Sequence, residues 1–236
     1  MRFVPIKNIE QQAILSLHRA RQGFVKARTA QANQIRGLLA EYGIVIPQGI
    51  HNMAKRVPGI LEDAENGLPG IFRQLIQTLG EHLNQLDQQV DELGDQILAW
   101  HQDNENSRKL AEIPGIGPIT ALMATIGDAK EFRSGRELAA WMGLVPRQHS
   151  SGGKQVLLGI SKRGDVYLRT LMIHGARSVI RVAPGRAGHE DSWLGKLMGR
   201  SSPNVVAVAL ANKHARVVWA ILTQDRHYDA DYKRAA

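Results

Sequence analysis

Apolar residues recur at alternating intervals of three and four positions in two long stretches of the chain. The first extends from about Lys7 to Glu41 and the second from about Pro69 to His101, where the repeat is almost unbroken. A sustained three-four repeat is typical of coiled-coil helices, here about 50 Å long at about 1.5 Å per residue. The predicted seam positions are Ile14, Leu17, Phe24, Ile35, Leu38 and Tyr42 in the first stretch, and Phe72, Leu75, Leu79, Leu83, Leu86, Val90, Leu93, Ile97 and Trp100 in the second.

The charges of the two stretches are complementary. Residues 7–41 carry six Lys or Arg and two acids, whereas residues 71–105 carry one Arg and seven acids. A basic helix beside an acidic one is favourable along the flanks of a seam, which supports pairing of the two stretches. Pairing with copies in another subunit stays open.

The connection from Gly43 to Leu68 is too long for a plain turn and predicts short helical pieces.

The pattern changes from about Ser107 onward, where helices are shorter and turn signals frequent. Ser134 to Glu137 is a capping box that predicts a helix through Met142, and Asp165 is placed to cap a helix that ends near Val182. A last helix begins at Ser202-Pro203 and extends to about Thr223, and a polar tail from Asp225 is expected to fray. The stretch from Gln148 to Ile160 fits a short hairpin. The predicted fold is mainly α: long antiparallel coiled-coil helices in residues 1–106, then a compact helical domain in residues 107–236.

Composition narrows the chemistry. The 236 residues include 30 Lys+Arg and 22 Asp+Glu, a formal net charge of +8, and no cysteine. The missing thiols exclude a disulfide scaffold, a thiolate zinc site and a cysteine nucleophile, and they fit a reducing compartment such as the cytoplasm. No apolar run approaches the roughly 20 residues of a membrane span. The nine histidines lack ligand spacing, so no metal site is predicted. The positive charge indicates a polyanionic partner, nucleic acid before an anionic membrane.

Two segments have the composition of phosphate-binding elements. Gly115 and Gly117 lie between helical stretches, as in a helix-hairpin-helix element that grips nucleic-acid backbone, although a plain helix-helix turn is equally compatible. Residues 147–181 carry seven Lys or Arg and one acid, Asp165, with several interspersed glycines. Such a run is usually a solvated face, but the glycines allow close approach of a ligand and favour phosphate contact.

The Ser-Ser-Gly-Gly-Lys segment at residues 150–154 lies inside this basic stretch. Serine and glycine together most often form a flexible turn, and no Gly-x-Ser-x-Gly elbow is present, which excludes a hydrolase of that type. A serine hydroxyl beside a lysine can still attack phosphorus if a base or a metal ion activates it. His149 is notable because it lies two residues before Ser151.

An ordered set of motifs closely resembles the C-terminal transposase domain of the bacterial IS110 insertion-sequence family, in its IS1111 branch. The resemblance covers about Arg108 to Leu222, and the long helices before it resemble the coiled coil of the same family. Each motif is weak alone, whereas the ordered set is specific. The motifs are Ile113-Pro114-Gly115-Ile116-Gly117-Pro118-Ile119-Thr120-Ala121, Phe132-Arg133-Ser134, Ala140 to Gly153, Ile160 to Arg169, and Ala211-Asn212-Lys213-x-Ala215-Arg216-x-x-Trp219-Ala220.

The resemblance implies DNA transposition in the cytoplasm. Family members couple an N-terminal RuvC-like domain with four metal-binding acids to a C-terminal domain with a serine, which corresponds to Ser151. That serine would attack a DNA phosphate and form a covalent serine–DNA link, with Mg²⁺ held by the acids. The resemblance also implies a bridge RNA as guide and a homo-oligomer. We further expect phosphate contacts from Arg147, Lys154, Lys162, Arg163 and Arg169.

One departure from the family pattern is the absence of a RuvC-like segment before the first helix. It leads to the expectation of a truncated reading frame or misplaced start, in which this chain holds no cofactor, needs Mg²⁺ only in its full-length form and is inactive alone. The alternative is a non-enzymatic helix-hairpin-helix nucleic-acid-binding protein that oligomerises through its coiled coil. A coiled-coil scaffold with no nucleic-acid role is poorly motivated, because it leaves the glycine-rich basic stretch without a purpose.

Overall fold

The computed structural model describes residues 8–149, 153–154, 156–185, 188 and 190–230. It divides into two compact units, Leu15–Ile97, called here the helical-hairpin unit, and residues 1–14 with 98–236, called the C-terminal unit. The expected division after residue 106 stays a prediction. The mainly α prediction is confirmed by helices α1 (Ile9–Glu41), α2 (Ile50–Glu62), α3 (Gly70–Asp103), α4 (Glu105–Ala111), α5 (Gly135–Trp141), α6 (Val166–Val182), α7 (Trp193–Met198) and α8 (Pro203–Gln224), with 3₁₀ helices at Thr120–Thr125, Ala129–Glu131 and Ala183–Gly185 and strands β1 (Pro146–Gln148) and β2 (Leu157–Ile160).

Helices α1 and α3 pair antiparallel within the chain in the helical-hairpin unit. Arg28 Nη1 lies 2.6 Å from Asp87 Oδ1, and Gln31 Oε1 lies 2.9 Å from His82 Nδ1, so residue numbers rise along one helix as they fall along the other. The ion pair is an example of the predicted charge complementarity between the two helices.

The core of this unit follows the predicted seam with shifts at one end. Ile76, which the seam pattern omits, is fully buried, whereas the predicted Leu75 is 44% exposed. Leu39 is likewise more deeply buried than the predicted Leu38. The reason is α2, whose Met53 and Val57 join the same core cluster. At this end α1, α2 and α3 share one core, so α1 and α3 each bury a wider apolar stripe than pairing of two helices requires.

The connection between α1 and α3 is ordered, as the sequence predicts. It contains α2, and its final segment is held by Arg73 of α3. The Arg73 guanidinium donates hydrogen bonds to the carbonyl oxygens of Ile60, Leu61 and Asp63. One cation thus satisfies several carbonyl groups at the end of α2 that have no partner within the helix.

Helix α8 is the central element of the C-terminal unit and packs against α4, α5, α6 and α7. Of the helices in the described part of the chain, it alone is long and apolar enough to cross a membrane. Burial accounts for this composition, because the residues facing its neighbours form the core of the unit. The buried residues are Val206, Ala207, Leu210, Ala211, His214, Ala215, Val218 and Ile221.

Residues 225–230, the described part of the tail for which the sequence predicts fraying, are bonded to residues of and next to α4. Asp225 Oδ1 lies 2.6 Å from Lys109 Nζ on α4, and the Glu112 carboxylate accepts hydrogen bonds from His227 and from the Tyr228 backbone amide. The hydrogen bond to Asp225 raises the pKa of Lys109, and the same bond lowers the pKa of Asp225. Residues 225–230 are held by Lys109 and Glu112, which lie more than 100 positions earlier in the chain, so the local sequence of the tail does not reveal these contacts.

Candidate nucleic-acid interface

A short antiparallel hairpin lies between α5 and α6, as the sequence predicts. Pro146 pairs with Ile160 and Gln148 with Leu157, with an irregularity in between, and the His149 amide donates to Val156 O at 3.0 Å. Both strands are largely exposed to solvent. The hairpin therefore presents main chain and side chains of both strands to a partner.

The loop that follows β2 is bonded to the turn that precedes β1. The Ser161 amide donates to Val145 O at 2.8 Å, and the Lys162 amide donates to Gly143 O at 3.2 Å. Lys162 has a φ of 55°, an uncommon conformation for a residue with a side chain. The loop is thus bonded to the base of the hairpin, and its Lys162 and Arg163 side chains are exposed.

Two glycines make this junction possible. A Cβ atom on Gly143 would overlap with the carbonyl oxygen of Arg163, and one on Gly164 would overlap with the carbonyl oxygen of Trp141. Both glycines also have positive φ, 72° and 83°. The loop and the turn meet backbone against backbone, and no other residue type fits at either position.

Arg169, in the first turn of α6, also stabilises this contact between the turn at Gly143 and the loop at Arg163. Its side chain is buried, and Nη1 donates to Met142 O and to Arg163 O, each at 3.1 Å. Asp165 caps α6 by accepting hydrogen bonds from the backbone amides of Tyr167 and Leu168. In this structure Arg169 therefore positions the loop, and its predicted phosphate contact stays a prediction without geometric support.

The predicted cations separate into exposed and buried groups. Arg147 and Lys154 on the hairpin and Lys162 and Arg163 on the adjoining loop are all exposed, whereas Arg169 is buried. The carboxylate of Asp165, the acid of this basic stretch, faces backbone amides. Of the five predicted phosphate-binding cations, four are therefore exposed on the hairpin and its adjoining loop. The fifth, Arg169, is buried and bonds to backbone carbonyl groups.

The Gly115 and Gly117 turn has mixed exposure. A Cβ atom on Gly115 would overlap with the carbonyl oxygen of Gly175 in α6, so this glycine is used for packing, whereas Gly117 has open space around it. Helix α4 precedes the turn and a 3₁₀ helix, Thr120–Thr125, follows it. The element after the turn is thus not an α-helix, as a helix-hairpin-helix motif would have. The helix-hairpin-helix assignment stays a prediction.

The predicted nucleophile, Ser151, lies outside the described residues. Its flanking residues His149 and Gly153 are described and exposed. Within the described part of the chain, no group of three or more His, Asp or Glu residues is placed to hold a metal ion.

Two residues of α8, Asn212 and Trp219, bond to carbonyl groups of the chain before the hairpin, and both belong to the last motif of the ordered set. Asn212 Nδ2 donates to Leu144 O at 3.2 Å, two residues before β1 begins. Trp219 Nε1 donates to Ala129 O and Phe132 O at 3.1 and 3.0 Å. Their presence in the ordered motif is the only signal in the sequence, since their carbonyl partners lie 68 to 90 positions away.

Comparison with known proteins links this geometry to a family. Residues 107–190 match the family described as "Transposase IS116/IS110/IS902 family". The chain is 45% identical to a probable family 20 transposase of Pseudomonas aeruginosa, covering 97% of this chain and 68% of that protein. It is 43% identical to the transposase for insertion sequence element IS1111A of Coxiella burnetii, with 97% and 63% covered. It is 41% identical to the transposase for element IS1328 of Yersinia enterocolitica, with 95% and 67% covered. The chain thus spans about two thirds of the length of these relatives.

Proposed function

Because this chain belongs to the IS116/IS110/IS902 transposase family, we propose that it acts in DNA transposition and binds DNA through the hairpin and the adjoining loop. The observation that carries this proposal is the exposure of Arg147, Lys154, Lys162 and Arg163 on elements whose base is fixed by backbone contacts. Cations on a backbone that is held in place bind phosphate with less loss of conformational entropy than cations on a mobile backbone. They neutralise DNA backbone charge without reading sequence.

Ser151 is the proposed nucleophile. It lies in the chain between the exposed residues His149 and Gly153 and within the basic stretch. In the proposed step, the serine oxygen forms a bond to a DNA phosphorus as the hydroxyl proton passes to a base. One ester oxygen of the phosphate leaves and takes up a proton, so a phosphodiester bond is exchanged for a serine–phosphate ester. His149 is the base that the sequence offers within two residues.

The described residues do not fit a Mg²⁺ site. Mg²⁺ prefers carboxylate oxygens, and the Asp165 carboxylate, the acid in the basic stretch, is committed to the N-terminus of α6. A guide RNA, a homo-oligomer and a cytoplasmic site of action belong to the proposal through the family resemblance. The expected inactivity of this chain alone stays a prediction. The family match does not favour the non-enzymatic alternative.

The nucleophile is tested by comparing two neighbouring serines. The chain, extended upstream with the RuvC-like domain of a family member, is incubated with radiolabelled element-end DNA and divalent cations, and covalent adducts are separated on a denaturing gel. Wild type and Ser150→Ala are expected to form an adduct, whereas Ser151→Ala is expected to form none. An adduct with Ser151→Ala contradicts the assignment. DNA binding by the wild type without any adduct supports the non-enzymatic alternative.

The phosphate contacts are tested by the salt dependence of DNA affinity. Each phosphate contact contributes a slope of about −0.9 in log K against log salt concentration. Arg147→Gln and Lys162→Gln are each expected to reduce the slope by about one. Lys26→Gln, an exposed cation of α1, is the matched control and should leave the slope unchanged. Equal slopes for all three variants contradict the interface.

A further inference from the structure

The indole of Trp141 is exposed at the end of α5. Trp141 is 41% exposed, and its ring meets the Phe132 ring edge-on, with 5.7 Å between the ring centroids and 63° between the planes. An edge contact between two rings covers at most one face of either ring. Trp193 of α7 is 44% exposed, but Lys213 Nζ lies over its ring, 4.8 Å from the centroid. Trp141 therefore presents aromatic surface that is open to a second flat ring.

Exposed cations lie on both chain segments next to Trp141. Arg133 directly follows Phe132, whose ring the indole contacts, and Arg136 lies in the first turn of α5. The adjoining loop, with its two exposed cations, meets the end of α5, because a Cβ atom on Gly164 would overlap with the Trp141 carbonyl oxygen. The indole therefore lies in a region with exposed cations from two segments of the chain.

Charge and aromatic surface together select the partner. Two acids lie in the same stretch: Glu131 is exposed, and the Glu137 carboxylate accepts a hydrogen bond from the Arg133 amide at 2.7 Å. The four cations outnumber these two acids, so a second copy of the chain would meet like charge. The family match makes DNA the polyanion. In a duplex, both faces of each internal base are covered by its neighbours, whereas a base of an unpaired strand has a face free for stacking.

We propose that Trp141 stacks on a base of an unpaired DNA strand, and that Arg133, Arg136 and the cations of the adjoining loop bind neighbouring phosphates of that strand. Stacking of this kind tolerates any sequence, because every base has a π-face. The inference rests on the proposed function and deepens it, because it extends the DNA surface from the loop onto α5 and gives it a second form of DNA. The proposed attack by Ser151 breaks one strand, and a broken strand has to leave its duplex before it is joined elsewhere.

Two substitutions of Trp141 separate stacking from apolar packing. Trp141→Phe keeps an aromatic face, whereas Trp141→Leu keeps an apolar contact with Phe132 and has no π-face. Circular dichroism with thermal unfolding verifies that both variants are folded. Binding is measured by anisotropy with a labelled DNA strand that lacks self-complementarity, alone or annealed to its complement. Trp141→Leu is expected to bind the single strand about tenfold more weakly, and Trp141→Phe within about threefold of wild type. Duplex affinity should stay unchanged in both variants.

Tryptophan fluorescence provides a second measurement, because an indole that stacks on a base is quenched. Trp141→Phe is expected to bind the single strand but to lose the quenching that wild type shows. Trp193→Phe is the matched control, since Trp193 has a similar exposure, and it should retain both affinity and quenching. Wild-type quenching in Trp141→Phe overturns the inference, as does loss of quenching in both variants.

Failure of this inference and failure of the proposed function give different results. Duplex binding without single-strand binding, or equal single-strand affinity in wild type and Trp141→Leu, overturns the stacking and leaves the proposed function intact. Quenching by an RNA strand of the same sequence but not by the DNA strand overturns the assignment to DNA. A wild-type chain that binds neither form of DNA at low salt would instead reject the proposed function itself.

Discussion

Several glycines of the C-terminal unit have backbone atoms of another element against them, whereas no glycine among the described residues of the helical-hairpin unit does. Gly23 and Gly37 of α1 have no atom within 4 Å of an added Cβ. In the C-terminal unit, Cβ atoms on Gly143, Gly164 and Gly175 would each overlap with a carbonyl oxygen. The helical-hairpin unit is therefore held by side chains that interdigitate between helices, whereas the C-terminal unit depends on elements that meet at backbone distance.

This difference explains where the proposed DNA interface lies. A seam of side chains tolerates substitutions of similar volume, because neighbouring rotamers adjust. A backbone contact cannot adjust in this way, but it fixes a loop without using the side chains of that loop. Lys162 and Arg163 remain free to face a ligand because Gly143 and Gly164 hold their backbone. Because these backbone contacts cannot adjust, we expect the C-terminal unit to be more sensitive to mutation than the helical-hairpin unit.

The sharpest test of this comparison is one substitution made in two helices. Gly175→Ala in α6 is expected to destabilise the protein by about 3–4 kcal/mol, because the new methyl group overlaps with Gly115 O. Gly37→Ala in α1 is expected to stabilise it by about 0.5–1 kcal/mol, because alanine favours the helix and nothing obstructs it. Urea unfolding of both variants gives the two free energies of unfolding.

Opposite signs are the required outcome. Destabilisation by Gly37→Ala of the same size as by Gly175→Ala would mean that α1 also depends on close backbone contact. Stabilisation by both variants would show that α6 and the Gly115 turn separate easily, and the distinction between the units would fail.

The two units were also not equally predictable from the sequence. Helices α1 and α3 agree with the sequence prediction to within about two residues at each end, because the repeat of Leu83, Leu86 and Val90 is local information. The caps at Ser134 and Asp165 follow for the same reason. The internal role of Arg169 did not follow, since one of its carbonyl partners, Met142, is 27 positions away. A buried arginine and a DNA-binding arginine look alike in a sequence.

Acid is expected to destabilise each unit through one buried histidine. Burial lowers the pKa of His18 in α1 to about 4, with Arg21 adding to the shift, and it lowers the pKa of His214 in α8 to about 4, with Lys213 adding. Unfolded histidines bind a proton as the pH falls below about 6.5, whereas the folded ones do so only near 4. Stability should therefore fall between pH 6.5 and 4, by about 3 kcal/mol per histidine.

Glutamine variants assign this loss to its source. His18→Gln and His214→Gln are each expected to flatten the dependence of unfolding free energy on pH in that interval. His174→Gln, which changes an exposed histidine of α6, is the control and should retain the wild-type slope. A wild-type slope in either buried variant rejects the corresponding assignment, whatever its effect on absolute stability.

Removal of the Arg169 guanidinium tests the junction itself. Arg169→Met leaves Met142 O and Arg163 O without their donor and is expected to cost about 2 kcal/mol. Hydrogen exchange at the Lys162 amide, which donates to Gly143 O, should accelerate more than the global loss explains. Arg177→Met, at an exposed position of the same helix where Nη2 donates to Asn204 Oδ1, should change stability by less than about 0.5 kcal/mol. Unchanged exchange at Lys162 in Arg169→Met would show that the two glycines hold the loop unaided.

The smallest effect is expected for the ion pair between α1 and α3. The Arg28 and Asp87 side chains are 22% and 33% exposed, so water and salt screen their attraction. A double-mutant cycle with Arg28→Ala and Asp87→Ala should give a coupling energy of about 0.5 kcal/mol that decreases in high salt. A coupling energy above about 2 kcal/mol would contradict this prediction, because the ion pair would then supply stability that we attribute to apolar packing. At the expected value, the pair favours the antiparallel arrangement over others, while Ile35, Ile76 and Leu83 supply the free energy that holds the helices together.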